Sequence, residues 1–293
     1  MANFKSILVT GFFRTGSTLL FSALRQCPDL QVFYEPYHPE ILKYVEACQK
    51  GIPNADRERL GHTVEGDYFE EYRYVDTKEM GEVYNLKSRT LDHPLLEATS
   101  EKSDLYNYVA FLFEHANGNG KTPVLQANRL NFCFNWFNSN FPGSYNILVT
   151  RNSRDIFLSL QKLAKKDGIN LDADTIGLDY WNVLSIFNSL QARYPKIKEL
   201  KQCYYYKLCF VVEWINRVES KKADLILPYE SLGNPSTQNA LAQALKVFSK
   251  EALPVCKYIE GRYIEASPLA KSEDLNKIER LVEEQLSSLD YIY

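Results

Sequence analysis

Short apolar runs alternate with helical stretches along most of the chain. Each run is apolar at nearly every position, which is typical of a parallel strand covered on both faces. The predicted strands are 6–10, 31–36, 122–128, 145–150 and 223–230. Apolar residues at helical spacing predict helices over about 16–26, 104–118, 154–166, 178–193, 200–220, 236–249 and 272–289. Strands that alternate with helices indicate an α/β fold with a parallel sheet flanked by helices.

Residues 51–100 interrupt this alternation and predict an acidic insert or cap outside the sheet. The stretch 64–82 holds seven acidic residues against two basic ones, with tyrosines and a phenylalanine between them. Two interpretations remain open. The segment is either a solvated, charged flap, or a lid that recognises a cationic small molecule through the carboxylates of Glu70 and Glu71 and through aromatic faces.

Composition limits the class of protein. The 293 residues are 45% apolar, enough for a sizeable core, so a single domain over 1–293 is predicted. A formal net charge of −3 gives no overall attraction to nucleic acid or to an anionic membrane. The first apolar run is unlike a signal peptide and no segment reaches the length of a membrane span, so a cytoplasmic location is expected. The six cysteines lack metal-ligand spacing and are interpreted as reduced packing residues.

The stretch "ILVTGFFRTGSTLL" (7–20) predicts a strand, a glycine loop and a helix. From Gly11 to Thr18 it has the spacing of a Walker A phosphate loop, but Ser17 stands where that motif needs lysine. Backbone N–H groups at the start of a helix bind anions, and Arg14 adds a positive charge inside the loop. The pattern therefore predicts a P-loop-like fold with a site for a phosphate-like group. An ordinary strand–turn–helix with an incidental arginine is the alternative.

A second basic residue follows the fourth predicted strand. Arg151 comes directly after "YNILVT", at the strand end where ligands bind in open α/β sheets. Ser153 is a candidate cap for the following helix, and Ser159 lies inside that helix. Arg151 suits a second phosphate in the same crevice, or alternatively a structural ion pair. No apolar strand leads into an aspartate that would hold Mg²⁺, so no metal is expected.

Three motifs, in this order, resemble those of the PAPS-dependent sulfotransferase family, where PAPS is 3′-phosphoadenosine 5′-phosphosulfate. "FRTGSTLL" resembles the family's 5′-phosphosulfate loop in its bacterial R-[ST]-G-S-T-L-L form, and "RNSRDIFLS" resembles its 3′-phosphate motif. "ILPYESLGNPS" resembles the family's Y-E-D-L segment, which leads into a helix near the adenine. The resemblance covers about residues 5–250 in outline. It implies a metal-free transfer of a sulfuryl group from PAPS, with PAP as the other product.

The resemblance also implies which residues bind PAPS. Arg151 and Ser159 would contact the 3′-phosphate, and Tyr229 would contribute from the Y-E-D-L-like segment. The implied contacts to the 5′-phosphosulfate are Arg14, Thr15, Gly16, Ser17, Thr18 and Leu19. Arg14 takes the place of the lysine that cytosolic members carry at the start of the loop, and it is a candidate catalytic residue.

One feature of many family members is missing from this chain. Their third strand carries a histidine general base, but the corresponding segment here holds Gln126 and Asn128. Glu35, at the end of the second strand, resembles the glutamate base of bacterial members and is the predicted general base, with His38 as its rival. The structural alternatives are an ion pair between Glu35 and a loop arginine, and a packing or surface role for His38. Tyr37, in the same segment, is a candidate contact to the acceptor.

The resemblance therefore implies a sulfotransferase that modifies a hydroxyl or an amine or amide nitrogen of a small molecule. The acidic insert favours a cationic acceptor, such as an amine or guanidinium natural product of secondary metabolism. Two alternatives stay open. One is a metal-dependent P-loop nucleotide kinase or triphosphatase, and the other is a non-catalytic PAPS-binding protein. The sequence does not indicate an oligomeric state.

Overall fold

A parallel sheet of five strands forms the centre of the structure. The computed structural model describes residues 5–52, 66–84, 104–130, 133–171, 179–198, 203–251, 253–263 and 272–289. The strands in these residues are β1 (Ser6–Thr10), β2 (Leu30–Tyr34), β3 (Thr122–Gln126), β4 (Ser144–Thr150) and β5 (Leu225–Pro228). They lie in the order β2-β3-β1-β4-β5, and every neighbouring pair is parallel. The predicted α/β fold is confirmed.

Helices connect the strands and follow the last one. In chain order they are α1 (Ser17–Leu24), α2 (Ile41–Gln49), α3 (Thr77–Val83), α4 (Asp104–Gly118), α5 (Phe134–Asn140), α6 (Ser153–Lys166), α7 (Val183–Arg193), α8 (Tyr204–Ser220), α9 (Pro235–Leu245), α10 (Leu253–Arg262) and α11 (Glu273–Leu289). Every residue of β1 and β2 is buried, which explains why their sequences are continuous rather than alternating apolar runs.

The order of the strands creates a crevice at the end of β1. The chain passes from β1 to β2 and β3 on one side of the sheet, then crosses to β4 and β5 on the other side. Ligands in open α/β sheets bind at such a switch point, outside the carboxyl ends of the strands. The loop that joins β1 to α1 lies at this point, so the topology places the phosphate-loop motif where a ligand is expected.

Several local predictions need correction. Helices α2, α3, α5 and α10 were not predicted, because their sequences are short and mix apolar with polar residues. Asn152, not Ser153, caps α6: its side chain accepts the N–H of Arg154 at 2.9 Å, while Ser153 is buried in the first turn. The predicted start of the last helix is confirmed, since the Ser272 hydroxyl accepts the N–H of Leu275 at 3.3 Å.

The part of the insert that the structure describes packs its apolar residues against the rest of the protein. Tyr68, Phe69, Tyr72 and Met80 are each at most 2% exposed. The Tyr72 hydroxyl donates to the carbonyl oxygen of Tyr34 at 3.2 Å, which ties the insert to the end of β2. The described part of the insert is therefore anchored to the sheet by its aromatic residues, while charged residues such as Asp76, Glu79 and Glu82 remain exposed. Residues 53–65 and 85–100 of the predicted insert lie outside the described part of the chain.

All six cysteines are free thiols. Five of them are buried, which confirms the prediction that they are packing residues, and Cys256 is half-buried. Among the helices described, none combines the length and the apolar character that a bilayer crossing requires.

Candidate active site

The loop between β1 and α1 requires glycine at both ends. A Cβ atom at Gly11 would lie 2.4 Å from the carbonyl oxygen of Val149 on β4. A Cβ atom at Gly16 would lie 2.2 Å from the ring of Tyr229, and Gly16 has a left-handed φ of 93°. The loop therefore packs closely against β4 and against the segment that follows β5. This contact brings the first and third motifs together.

Gly16→Ala is expected to lower the free energy of unfolding by about 1–3 kcal/mol, because alanine adds both backbone strain and overlap with Tyr229. Urea unfolding of the purified variants measures the effect. Gly51→Ala shares a left-handed φ of 71° but meets no atom within 4 Å, so it should cost less. Gly118→Ala has neither problem and should be neutral or slightly stabilising. Equal losses for Gly16→Ala and Gly51→Ala would show that Tyr229 moves aside at no cost.

The start of α1 offers backbone donors to an anion. Ser17 and Thr18 occupy the first turn, where no helical carbonyl precedes their N–H groups. The Thr15 hydroxyl donates to the carbonyl oxygen of Phe12 at 2.8 Å, so this side chain stabilises the loop itself. Leu19 packs against the apolar core. Of the implied contacts, the first-turn residues are thus placed to bind a ligand, whereas Thr15 and Leu19 have structural contacts of their own.

Two basic motifs that are far apart in sequence meet at this loop. Nη1 of Arg151 donates to the carbonyl oxygen of Arg14 at 3.0 Å, although the two residues are 137 positions apart. Nε of Arg14 donates to the Ser159 hydroxyl on α6 at 2.9 Å. The structure therefore brings Arg14, Arg151 and Ser159 together, as the sequence predicts.

Arg151 also contacts the third motif. Its guanidinium lies 4.3 Å from the centre of the Tyr229 ring, a cation–π distance. Its Nε is buried and has no hydrogen-bond partner among the described residues. A buried donor of this kind calls for an acceptor, and a phosphate oxygen would supply one. The residues at the loop thus fit an anionic nucleotide such as PAPS.

The electrostatics of Arg14 also favour a bound anion. Burial lowers the pKa of its guanidinium, and the nearby positive charge of Arg151 lowers that pKa further. Arg14 has a left-handed φ of 69°, which is uncommon for a residue with a side chain. Two guanidinium groups held close together in a partly buried crevice repel each other, and a bound anion would relieve that repulsion.

Glu35 lies at the end of β2 and forms an ion pair. Its Oε2 accepts a hydrogen bond from Nη1 of Arg129 at 2.9 Å, and its Oε1 accepts the N–H of Asn128 at 3.2 Å. Glu35 is 3% exposed, and burial raises the pKa of its carboxyl while Arg129 opposes that shift. The predicted alternative was an ion pair between Glu35 and an arginine of the phosphate loop. Glu35 does pair with an arginine, but that residue, Arg129, follows β3 and is not in the loop.

His38 and Tyr37 are placed differently from Glu35. Nδ1 of His38 accepts the N–H of Glu40 at 3.2 Å, and its ring centre lies 4.8 Å from that of Tyr44. In the neutral ring this bond places the proton on Nε2 and occupies the lone pair of Nδ1, so His38 is engaged within its own segment. Tyr37 is 4% exposed and its hydroxyl donates to the carbonyl oxygen of Leu105 at 3.5 Å, so it faces the core.

The structure does not bring Glu70 and Glu71 to the loop. Glu70 accepts a bond from Nη2 of Arg25 at 2.9 Å, and Glu71 pairs with Nε of the same arginine. Arg25 follows the last turn of α1, at the opposite end from the phosphate loop. Burial raises the pKa of Glu71 to about 7, with Arg25 opposing the rise. Both carboxylates are therefore already paired with a cation of the protein, which argues against the prediction that they hold a cationic acceptor.

Aromatic residues that the sequence did not single out surround the loop. The ring of Tyr68, from the insert, stacks on Tyr34 at 4.8 Å, and both tyrosines raise the pKa of Arg14. The ring of Trp181 lies 4.9 Å from that of Phe13 in the loop, edge to face, and Trp181 has a left-handed φ of 56°. Among the described residues of the insert, Tyr68 thus reaches the site, whereas Glu70 and Glu71 pair with Arg25.

Comparison with solved structures identifies the fold. The chain aligns with sulfotransferase STF9 from Mycobacterium avium at a TM-score of 0.50 and 11% identity, over 99% of this chain and 77% of that one. It also aligns with sulfotransferase STF1 from Mycobacterium tuberculosis H37Rv at a TM-score of 0.49 and 14% identity, over 95% and 77%. No protein-family model and no curated protein matches the sequence. At such low identity the likeness to STF9 establishes the fold alone: this chain has the sulfotransferase fold that its motifs implied.

Proposed function

We propose that this protein transfers a sulfuryl group from PAPS to a hydroxyl, amine or amide group of a small molecule. The observation that carries the proposal is the hydrogen bond from Arg151 to the carbonyl oxygen of Arg14, at 3.0 Å. It joins the two anion-binding motifs at one crevice, as a nucleotide with phosphates at both its 3′ and 5′ positions requires. The sulfotransferase fold supports the same proposal.

Each residue has a distinct task in this reaction. PAPS would supply the sulfuryl group, and PAP would leave with the electrons of the broken S–O bond. The first turn of α1 and Arg14 would bind the phosphosulfate, while Arg151 and Ser159 would bind the 3′-phosphate. The carboxylate of Glu35 would accept the proton that the acceptor loses as its oxygen or nitrogen bonds to sulfur.

Arg151→Ala should weaken PAP binding roughly 10- to 100-fold, the effect of losing hydrogen bonds to a charged group. It should weaken adenosine 5′-phosphosulfate much less, since that ligand lacks the 3′-phosphate. Isothermal titration calorimetry without metal measures both affinities. Arg193→Ala, an exposed arginine at the end of α7, is the matched control and should change neither.

The outcomes separate the alternatives. Equal losses for both ligands would remove Arg151 from the 3′-phosphate site. Tighter binding of ATP with Mg²⁺ than of PAP would favour a nucleotide kinase or triphosphatase. Binding of PAP with no sulfated product, after screening of acceptors by mass spectrometry, would favour a non-catalytic PAPS-binding protein.

A further inference from the structure

The ion pair between Glu35 and Arg129 is not explained by stability. The Glu35 side chain is buried at 4% exposed, the Arg129 side chain is mostly buried at 13% exposed, and their charged atoms lie 2.9 Å apart. Removing two charges from water costs about as much as their attraction returns, so a buried pair adds little net stability. Glu35 also has a left-handed φ of 40°, a strained conformation for a residue other than glycine. Strain and burial of this kind are typical of a functional group.

Arg129 is not fully satisfied by its structural contacts. Its Nε is buried and has no hydrogen-bond partner among the described residues. Its guanidinium lies 5.4 Å from the centre of the Phe13 ring, which belongs to the phosphate loop. A residue kept only for packing would be expected to have its donors paired. Arg129 instead connects the end of β2 to the phosphate loop, the two places where the proposed reaction occurs.

Among the described residues around Glu35, Arg129 is the positively charged group that contacts its carboxylate. The N–H of Asn128 and the amide of Gln126 offer hydrogen bonds from the end of β3. Tyr34, on the same strand as Glu35, and Tyr72, from the insert, are buried, neutral phenols near the carboxyl. The charge of Arg14 acts on the neighbouring Tyr34, whose pKa it lowers, and its Nε–H donates to Ser159.

On the basis of the proposed function, we propose that Arg129 is a positioning residue that keeps Glu35 ionised and fixed in one orientation for proton removal. A base must be unprotonated before the acceptor attacks. Burial at the end of β2 favours the protonated acid, and the guanidinium at 2.9 Å restores the carboxylate. The assignment goes beyond the family motifs, none of which includes position 129.

The test is the pH dependence of kcat/KM. The acid limb of this profile reports the pKa of the base in the free enzyme. Arg129→Gln removes the charge, so the pKa of Glu35 rises and the limb should move to higher pH by about 1–3 units, with activity partly recovered at high pH. Arg129→Lys, which keeps a charge, should shift the limb less. Arg129→Met is a second charge-removing variant in case glutamine does not fold here.

A second measurement needs no acceptor and no turnover. In protein labelled with ¹³C at glutamate side chains, the Glu35 carboxyl signal is identified by its loss in Glu35→Gln and titrated in each Arg129 variant. The titration should move to higher pH in Arg129→Gln and Arg129→Met. An unmoved titration would overturn the inference, even if activity fell at every pH. A moved titration without any sulfated product would keep the inference and reject the proposed function.

Discussion

Glu35→Gln is expected to lower turnover by about 10²–10⁴, the usual value of a positioned general base, and to leave PAP affinity nearly unchanged. Glutamine has the size of glutamate but no basicity. Its single amide oxygen can replace only one of the two acceptors that Asn128 and Arg129 now use. A modest loss of stability is therefore expected as well, and turnover must be measured where urea unfolding shows the variant folded.

His38→Asn is the matched comparison and should cost much less. The Nδ1 lone pair of His38 accepts the N–H of Glu40, and this hydrogen bond competes with any proton transfer to the ring. Glu46→Gln, at an exposed carboxylate on α2, controls for loss of negative charge near this segment and should be neutral. A large effect of His38→Asn with a small effect of Glu35→Gln would transfer the role of base to His38. Small effects of both substitutions would show that neither residue is the base and that the Glu35–Arg129 ion pair has only a structural role.

The sheet and the donor side of the site follow from local patterns. Continuous apolar runs specify buried parallel strands, and the run 6–10 became β1 at the same boundaries. Parallel strands end at one edge of a sheet, so residues that directly follow two neighbouring strands must lie near each other. This reasoning is sufficient to place Arg14 beside Arg151, which the structure shows.

The acceptor side could not be predicted, because it depends on pairs that no local pattern contains. Arg129 stands in "LQANRLN", where nothing indicates that its guanidinium reaches a carboxylate 94 positions earlier. The role of the acidic run could not be predicted for the same reason. A cluster of carboxylates can bind either an external cation or a basic side chain of the protein, and here Glu70 and Glu71 pair with Arg25. The left-handed Trp181 gave no signal, since tryptophan rarely adopts that conformation.

Arg14→Ala is expected to lower turnover by about 10²–10³, the effect of removing one preorganised donor from developing negative charge. In the proposed reaction, negative charge grows on the oxygen between phosphorus and sulfur as the S–O bond breaks. Arg14 is already oriented for such a role, since its Nε–H donates to Ser159 and its carbonyl oxygen accepts a hydrogen bond from Arg151. A donor that acts mainly in the transition state raises kcat more than affinity, so PAP binding should weaken less than turnover.

Two further variants separate the charge of Arg14 from its orientation. Arg14→Lys keeps the charge but lacks the Nε–H that bonds Ser159, so part of the turnover should be lost. Ser159→Ala keeps the guanidinium of Arg14 and removes its hydrogen-bond acceptor. This variant should lower turnover less than Arg14→Ala does. It should also lower PAP affinity, because Ser159 is proposed to contact the 3′-phosphate. Stopped-flow single-turnover rates and calorimetric affinities for the same variants provide the comparison. Equal losses of PAP affinity and turnover in Arg14→Ala would make Arg14 a ground-state clamp on the nucleotide, and the leaving-group charge would then need another donor.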